Sequence, residues 1–372
     1  MIIHLSILLV ILVVCLMYEG REKYYALDCI SRGHWFITAR IPWLVIFGYV
    51  AYLAAMRTDM NDSTAYIHSF NLLPATWEAF QQRASSAKIG TDWAFDTVGI
   101  LFKMFVSDDY HHWFALFAIA ESLAFVYILR RNSVSILDCC YFFFCSAIYY
   151  NYFSMMRQWF AVVMIFAASH YIAEGKFLRF TAVCLIVAQF HSSALMVIPL
   201  YFAAKGRAFS GKQILMIIGF AIALLFLNPI MDGLEDSLAG TTYDYAISAM
   251  ADGYGSSFIR PLIAVVPVLL AFMYVDETEN PMINVCINMS MINFLLNLLA
   301  SFTSGLYVIR FATYTSVFNM ILYPYILNVS LTGSRRRSIK LLFYVVYMAF
   351  YFYQMNYQGA FGYASDILGN FY

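Results

Sequence analysis

Long apolar runs alternate with short polar segments along almost the whole chain. The runs cover residues 2–17, 37–56, 111–129, 134–150, 154–173, 177–190, 192–204, 213–231, 259–275, 281–301, 305–329 and 339–357. A membrane helix needs about 20 mostly apolar residues, and the shortest ones about 17. No small-residue cleavage site follows the run 2–17, so it is predicted to be a retained first span. The pattern predicts an all-α polytopic membrane protein with about 12 transmembrane segments, some of them short or broken.

The adjoining runs 177–190 and 192–204 are each too short for an ordinary span, and the charge pattern decides how they are arranged. Cytoplasmic loops of membrane proteins are enriched in Lys and Arg. With the N-terminus outside and a break between two helices at His191, fifteen of the 22 Lys and Arg residues fall on the cytoplasmic side. Without that break, the basic cluster 335–340 moves outside. A break is therefore predicted, with His191 at an outer turn or partway into the membrane.

Two polar segments, 57–110 and 232–258, are predicted to be extracytoplasmic loops with interfacial helices. In the first, Thr91-Asp92 marks a helix start, and apolar residues follow at helical spacing. They are Trp93, Val98, Leu101, Phe102 and Phe105. The second is rich in Gly, Tyr, Asp and Ser, a composition typical of a mobile loop over a site. Neither forms a soluble domain of its own, so residues 1–372 are predicted to form a single transmembrane domain.

Composition narrows the function classes. The chain is 62% hydrophobic, only 12% charged and has a formal net charge of zero. This composition predicts a lipid bilayer as the surroundings and no nucleic-acid partner. The seven cysteines show no metal-ligand spacing and are interpreted as apolar packing residues. We therefore expect no metal and no other cofactor.

Four arginines and one histidine fall on the predicted outer side of the membrane. They are Arg57, Arg157, Arg260, Arg310 and His191. A charge within a span costs several kcal/mol unless it is paired or faces water. The arginines suit a lipid-linked phosphate, which guanidinium groups bind bidentately. The alternatives are snorkelling from helix ends for the arginines, and a hydrogen-bonded core position for His191.

Short motifs of this chain resemble those of EpsG/Wzy-type bacterial polysaccharide polymerases. Met156-Arg157-Gln158 with Ala161, and His191 within the run 190–195 placed 34 positions after Arg157, are similar to the family's paired Arg-Gln-x-x-Ala and Phe-His-x-Ser-Ala elements. Arg310-Phe311 with Tyr314 is similar to its Arg-Phe-x-x-Tyr element. Arg57, Asp62 and Tyr66 resemble an earlier element, although Arg57 stands closer to Asp62 than usual and Asn61 replaces a Gly-Thr pair.

The resemblance implies a GT-C-like membrane glycosyltransferase at the outer face of the bacterial inner membrane. Such an enzyme joins oligosaccharide repeat units carried on undecaprenyl pyrophosphate, as donor and acceptor, into O-antigen, capsule or exopolysaccharide. The resemblance leaves open whether a chain-length regulator is a further partner. Together with the charge pattern, it assigns Arg57, Arg157 and Arg310 to the pyrophosphate, with Arg260 as a further phosphate candidate. His191 is the base or acceptor-orienting group, Gln158 positions substrate, and the substrate-binding motif positions include Asp62, Tyr66 and Tyr314.

Two other function classes stay open at this point. A transporter or flippase of lipid-linked sugars predicts polar residues through the full membrane depth, whereas the cytoplasmic half here lacks such a set. A membrane acyltransferase also uses a histidine among many spans, with a second polar catalytic residue in a neighbouring span. Asn288, Asn293 and Asn297 are available for that role.

Overall fold

A computed structural model of the chain describes residues 2–32, 41–88, 91–225, 256–275, 280–302, 305–358 and 362–370. Regular structure within these ranges is helical, and the isolated antiparallel bridge between Asp59 and Ala364 is their β feature. The all-α prediction is therefore confirmed for the described residues. The predicted outer loop 232–258 lies outside them, apart from its last three residues.

The α-helices follow the predicted apolar runs closely. They are α1 (Ile2–Arg32), α2 (Ile41–Ala55), α3 (Ser63–Leu72), α4 (Trp77–Ser85), α5 (Trp93–Phe105), α6 (Tyr110–Asn132), α7 (Ile136–Cys145), α8 (Met156–Ala168), α9 (His170–Ala173), α10 (Phe177–Val187), α11 (Leu200–Ala204), α12 (Gly211–Leu225), α13 (Ile259–Ala264), α14 (Val266–Tyr274), α15 (Pro281–Leu299), α16 (Gly305–Ser316), α17 (Asn319–Tyr325) and α18 (Gly333–Gln358). Short 3₁₀ helices at Ile148–Tyr152 and Ser192–Val197 and a π-helical turn at Ile326–Ser330 interrupt them.

These interruptions leave few uniform long spans. By length and composition, α6 and α15 are long and apolar enough to cross a membrane, and six shorter apolar helices of 10–17 residues accompany them in the described part of the chain. The count of about 12 transmembrane segments is not confirmed and stays a prediction, as does the GT-C-like arrangement. The predicted break at His191 is confirmed, because this residue is extended (φ −153°, ψ 113°) between α10 and the second 3₁₀ helix.

Aromatic side chains from α2, α6, α7 and α8 form the centre of the core. The Phe125 ring of α6 is fully buried, and its centroid lies 5.2 Å from that of Phe47, 5.7 Å from Trp159 and 5.9 Å from Phe166. Aromatic pairs at such distances stabilise a core beyond the area that they bury. The helices that carry the candidate site are thus anchored on a rigid inner layer.

A buried polar network joins α7 to the end of the chain. The carboxylate of Asp138 is fully buried and accepts hydrogen bonds from Lys340 Nζ (2.8 Å), Asn328 Nδ2 (2.7 Å) and the Tyr344 hydroxyl (2.5 Å). Arg336 also donates to Asn328 Oδ1 at 2.7 Å. The network fixes the π-helical turn and α18 against α7, opposite in the predicted topology to the outer ends of the helices.

Replacing Asp138 by alanine is expected to lower the free energy of unfolding by about 2–3 kcal/mol, because three donors lose a buried acceptor. This loss of unfolding free energy is smaller than that for a fully buried ion pair, because the Lys340 side chain is 25% exposed and water can solvate it in the variant. Thermal unfolding in detergent measures the change. The exposed Asp108 is the matched control, and its alanine variant is expected to unfold with the wild type. Equal midpoints for the two variants would contradict this role of Asp138.

Candidate active site

A cavity of about 750 Å³ opens beside the connection from α7 to α8, with walls from α13, α15, α16 and α18. Hydroxyl and amide side chains line much of it. These are Asn61, Ser146, Asn151, Ser154, Ser256, Asn293, Asn297, Thr313, Ser316, Asn319 and Gln354. Asp62, Arg260 and Arg310 are the charged residues of the lining. The described wall therefore offers two cations, one anion and many neutral hydrogen-bonding groups.

Arg310 stands on α16, where the second turn of the helix reaches the cavity. Its backbone carbonyl accepts hydrogen bonds from Gln158 Nε2 (2.7 Å) and from the Thr313 hydroxyl (2.5 Å), which fix this turn against α8. The half-buried guanidinium has no hydrogen bond or ion pair with any described residue. A cation so placed is available to an anionic ligand.

Arg260 lies on α13, immediately before Pro261, and lines the same cavity. Its backbone N–H donates to the Ser257 carbonyl (3.1 Å), and the N–H of Ser256 donates to the Ala300 carbonyl (2.7 Å), which ties the start of α13 to the end of α15. The structure thus brings Arg260 and Arg310, 50 positions apart in sequence, to one cavity.

The asparagines of α15 form the polar wall. Asn293 Nδ2 donates to the Ala312 carbonyl (3.0 Å) and to Thr315 Oγ1 (3.1 Å), and Asn297 Nδ2 donates to the Asn293 carbonyl (2.8 Å). These bonds hold α15 against α16. Asn288 does not line the cavity, since its amide contacts Gln213 and the carbonyls of Ala204 and Gly206.

A second group of candidate residues surrounds the N-terminus of α8. The Arg157 guanidinium lies over the rings of Phe95 (4.7 Å) and Tyr66 (5.9 Å), and its buried Nε has no hydrogen-bond partner among the described residues. Burial raises the pKa of Tyr66, against the attraction of Arg157. Asp62 links this group to the cavity, because its carboxylate accepts the Met155 N–H at 3.4 Å. Arg157 is thus a partly buried cation whose Nε has no acceptor within the described ranges.

His191 lies on the same side of α8 as Arg157. Its Nδ1 is 3.2 Å from Asp92 Oδ2, and Asp92 Oδ1 accepts the Ser192 N–H at 2.6 Å. Burial raises the pKa of Asp92, but the hydrogen bonds from His191 and Ser192 and the nearby Arg157 outweigh it and hold the pKa below its ordinary value. Asp92 is therefore an ionised carboxylate beside the imidazole at neutral pH.

Gln158 and Tyr314, both predicted from motifs, connect the two groups. Gln158 joins α8 to the Arg310 carbonyl, as described above, and lies next to Arg157. The buried Tyr314 hydroxyl is 3.0 Å from Ser193 Oγ, which ties α16 to the turn that carries His191. These contacts place His191, Arg157 and Arg310 on elements that are bonded to one another.

Arg57 differs from the other arginines, because the protein uses all of its nitrogens. Nε donates to Ser63 Oγ (2.9 Å), one Nη donates to the Ala54 carbonyl, and the other lies 4.0 Å from Met156 Sδ. The side chain is 1% exposed, stacks over Phe114 at 4.1 Å and does not line the cavity. This geometry favours a structural role over pyrophosphate contact, which stays a prediction.

Sequence reasoning did not single out Asp92 as a partner of His191 or the cavity asparagines as a set. The sequence pattern marks Asp92 as part of a helix start, and the structure gives it a left-handed backbone (φ 53°) with no side-chain capping bond to the described residues of α5. Its carboxylate is directed to a segment 99 positions away. Among the described residues, no three His, Cys, Asp or Glu side chains stand together as metal ligands.

Comparison with known proteins gives one match. The model of the EpsG family matches residues 40–365, which include every candidate residue described above. No curated protein and no solved structure matches the chain. Because the family match covers most of the chain, the chain belongs to the EpsG family and is a membrane protein of the polysaccharide-polymerase kind.

Proposed function

We propose that the chain is a membrane glycosyltransferase that polymerises oligosaccharide repeat units linked to undecaprenyl pyrophosphate. The observation that carries the proposal is the cavity itself, in which Arg260 and Arg310 face a wall of neutral amides and hydroxyls. A sugar pyrophosphate combines the same two chemistries, a compact anion and a surface of hydroxyl groups. The volume lies within the range of about 300–1,000 Å³ typical of small-molecule sites.

The arginines stabilise the departing pyrophosphate. When the bond between the anomeric carbon of the donor and the pyrophosphate oxygen breaks, negative charge develops on that oxygen. Fixed guanidinium groups aimed at this charge lower the barrier, and they act most strongly where water is excluded. The Arg310 guanidinium and the buried Arg157 Nε have no hydrogen-bond partner among the described residues, which supports this role for both. Arg260 completes the cationic side of the cavity.

His191 takes the proton of the acceptor. The hydroxyl oxygen of the acceptor sugar forms the new bond to the anomeric carbon, and its proton passes to a base. The Nδ1 of His191 faces Asp92, whereas Nε2 has no hydrogen-bond partner among the described residues. Nε2 is therefore the atom that receives the proton. Gln158 and Tyr314 hold the turns that carry Arg310 and His191.

The remaining motif residues support the site. Asp62 caps the N-terminus of α8 at Met155, and Tyr66 forms one face of the Arg157 environment. Arg57 fixes the outer end of α2 to α3 and α8. In the proposed topology, these groups face the outside of the bacterial inner membrane, and the basic cluster 335–340 faces the cytoplasm.

The contacts of His191 also bear on the acyltransferase alternative. That class needs a second polar catalytic residue near the histidine, for which Asn288, Asn293 and Asn297 were candidates. All three have contacts elsewhere, on α15, α16 and the 204–206 turn. The partner of His191 is the Asp92 carboxylate, an arrangement that serves a general base in either class, so the products in the test below distinguish the two.

The proposal is tested in cells that lack their own copy of the gene. We expect the wild-type chain to restore long polysaccharide, and a His191→Ala variant, at equal expression, to leave single lipid-linked repeat units at the outer face. A flippase would instead leave these units at the inner face, and an acyltransferase would leave long polymer without acyl groups. Either of those results would contradict the proposal.

A further inference from the structure

The Asp92 carboxylate is bonded to the turn that carries His191, and no side-chain hydrogen bond joins it to the described residues of α5. One carboxylate oxygen lies 3.2 Å from His191 Nδ1, and the other accepts the Ser192 N–H at 2.6 Å. The two side chains are 26% and 22% exposed, so water reaches the pair only in part. The carboxylate thus contacts both the ring and the backbone that orients it.

The neighbouring residues of α5 hold the same turn. The Trp93 indole N–H donates to Gln189 Oε1 at 2.6 Å, and the Ala94 N–H donates to the Gln189 carbonyl at 2.9 Å. The segments 92–94 and 189–192 are therefore joined by four hydrogen bonds. Because Asp92 is not needed to join the segments, its carboxylate is free to serve the imidazole.

We infer that Asp92 is a positioning residue that holds His191 with its proton on Nδ1, so that the Nε2 lone pair faces the acceptor hydroxyl. The inference rests on the proposed role of His191 as base. A carboxylate accepts but does not donate, so it selects the tautomer with hydrogen on Nδ1. When Nε2 takes the proton of the acceptor, the same carboxylate stabilises the imidazolium that forms. The initial segment of α5 is then part of the active site.

The charges around the pair determine its pH behaviour. Arg157 from α8 acts on Asp92 electrostatically, and Tyr314 from α16 lies close enough to interact with the carboxylate. The pKa of Asp92 is below its ordinary value, so the carboxylate stays charged across the working pH range. Removing this charge makes the imidazolium less stable. The His191 base is then protonated only at lower pH, so the acid limb of the rate profile should move to lower pH.

The test compares Asp92→Asn with Asp96→Asn in the purified protein supplied with a defined lipid-linked repeat unit. Asparagine tolerates the left-handed backbone and still accepts the Ser192 N–H, so the fold is retained. Its amide N–H faces Nδ1 and favours the wrong tautomer. We expect kcat to fall about 100-fold with little change in KM, and the acid limb to shift to lower pH. Asp96 sits one turn further along α5, pairs with Arg83, and serves as the matched control.

A double variant separates positioning from a structural role. If Asp92 acts through His191, adding Asp92→Asn to His191→Ala should cause no further loss, because coupled residues are not additive. The inference would be overturned if the double variant lost roughly a further 100-fold in kcat relative to His191→Ala. It would also be overturned if Asp92→Asn kept the wild-type pH profile. If Asp92→Asn has wild-type activity while His191→Ala is impaired, only the positioning role of Asp92 is overturned. If His191→Ala is fully active, the proposed role of His191 as base is overturned as well. Should Asp92→Asn unfold, Asp92→Gly, which relieves the left-handed backbone, gives the same comparison.

Discussion

Replacing Arg310 by glutamine is expected to lower kcat of repeat-unit polymerisation by roughly 10³-fold, the scale of a lost transition-state cation or donor. Glutamine is neutral and shorter than arginine but still donates a hydrogen bond, so the loss measures the charge together with its reach. An Arg310→Lys variant keeps the charge but not the planar guanidinium, so its kcat should lie between those of the wild type and Arg310→Gln. The backbone contacts of Arg310 with Gln158 and Thr313 use its carbonyl, so the substitution leaves the turn intact.

The control for Arg310 is Arg337→Gln, which removes an exposed arginine at the other end of the predicted topology. We expect this variant to polymerise at the wild-type rate. An Arg310→Gln enzyme within about threefold of the wild type in kcat would contradict pyrophosphate stabilisation by this residue.

Replacing Arg57 by methionine is expected to destabilise the fold by about 2–4 kcal/mol, because the buried Ser63 hydroxyl and Ala54 carbonyl lose their donor and the Phe114 ring loses its cation. Glu121 of α6, 2% exposed, exerts the strongest electrostatic attraction on Arg57. Its Oε1 has no hydrogen-bond partner among the described residues. Without Arg57, the buried Glu121 side chain loses this electrostatic partner. The expected result is a large drop in the thermal unfolding midpoint in detergent and in the amount of folded protein.

The double variant Arg57→Met with Glu121→Gln separates folding from chemistry. Because glutamine keeps the shape of Glu121 without a group that can carry a charge, the double variant should recover a large part of the stability, as neutral replacements at buried charged sites often do. If Arg57 is structural, the recovered protein should polymerise within about tenfold of the wild type. A stable double variant without activity would show that Arg57 contacts the substrate, as the sequence motif first suggested.

The positions of the helices could be predicted from the sequence, because a helix surrounded by lipid needs a continuous run of apolar residues. The run 281–301 corresponds to α15, and the helix start at Thr91-Asp92 corresponds to α5. The break at His191 followed from charge sorting and is present. The number of crossings could not be fixed, since apolar runs such as 134–150 divide into an α-helix and a 3₁₀ helix.

The roles of individual residues depended on contacts between distant segments, which local patterns do not contain. Arg57 and Arg310 look alike in sequence, since the first directly follows one apolar run and the second lies near the start of another. In the structure, Ser63, the Ala54 carbonyl and Met156 contact the first, while the second lines the cavity and its guanidinium has no partner in the part of the chain that the structure describes. The carboxylate partner of His191 comes from 99 positions away and has no spacing signature.

The central claim is that this single chain forms the glycosidic bond between lipid-linked units while pyrophosphate leaves in the arginine-lined cavity. Purified protein in a lipid bilayer, supplied only with a synthetic polyprenyl-pyrophosphate repeat unit, tests it directly. We expect a ladder of products that differ by one repeat unit, with one polyprenyl pyrophosphate released for each bond formed, and we expect Arg310→Gln to lose this ladder. Intact repeat units after incubation with the folded wild-type protein, or an unchanged ladder from Arg310→Gln, would contradict it.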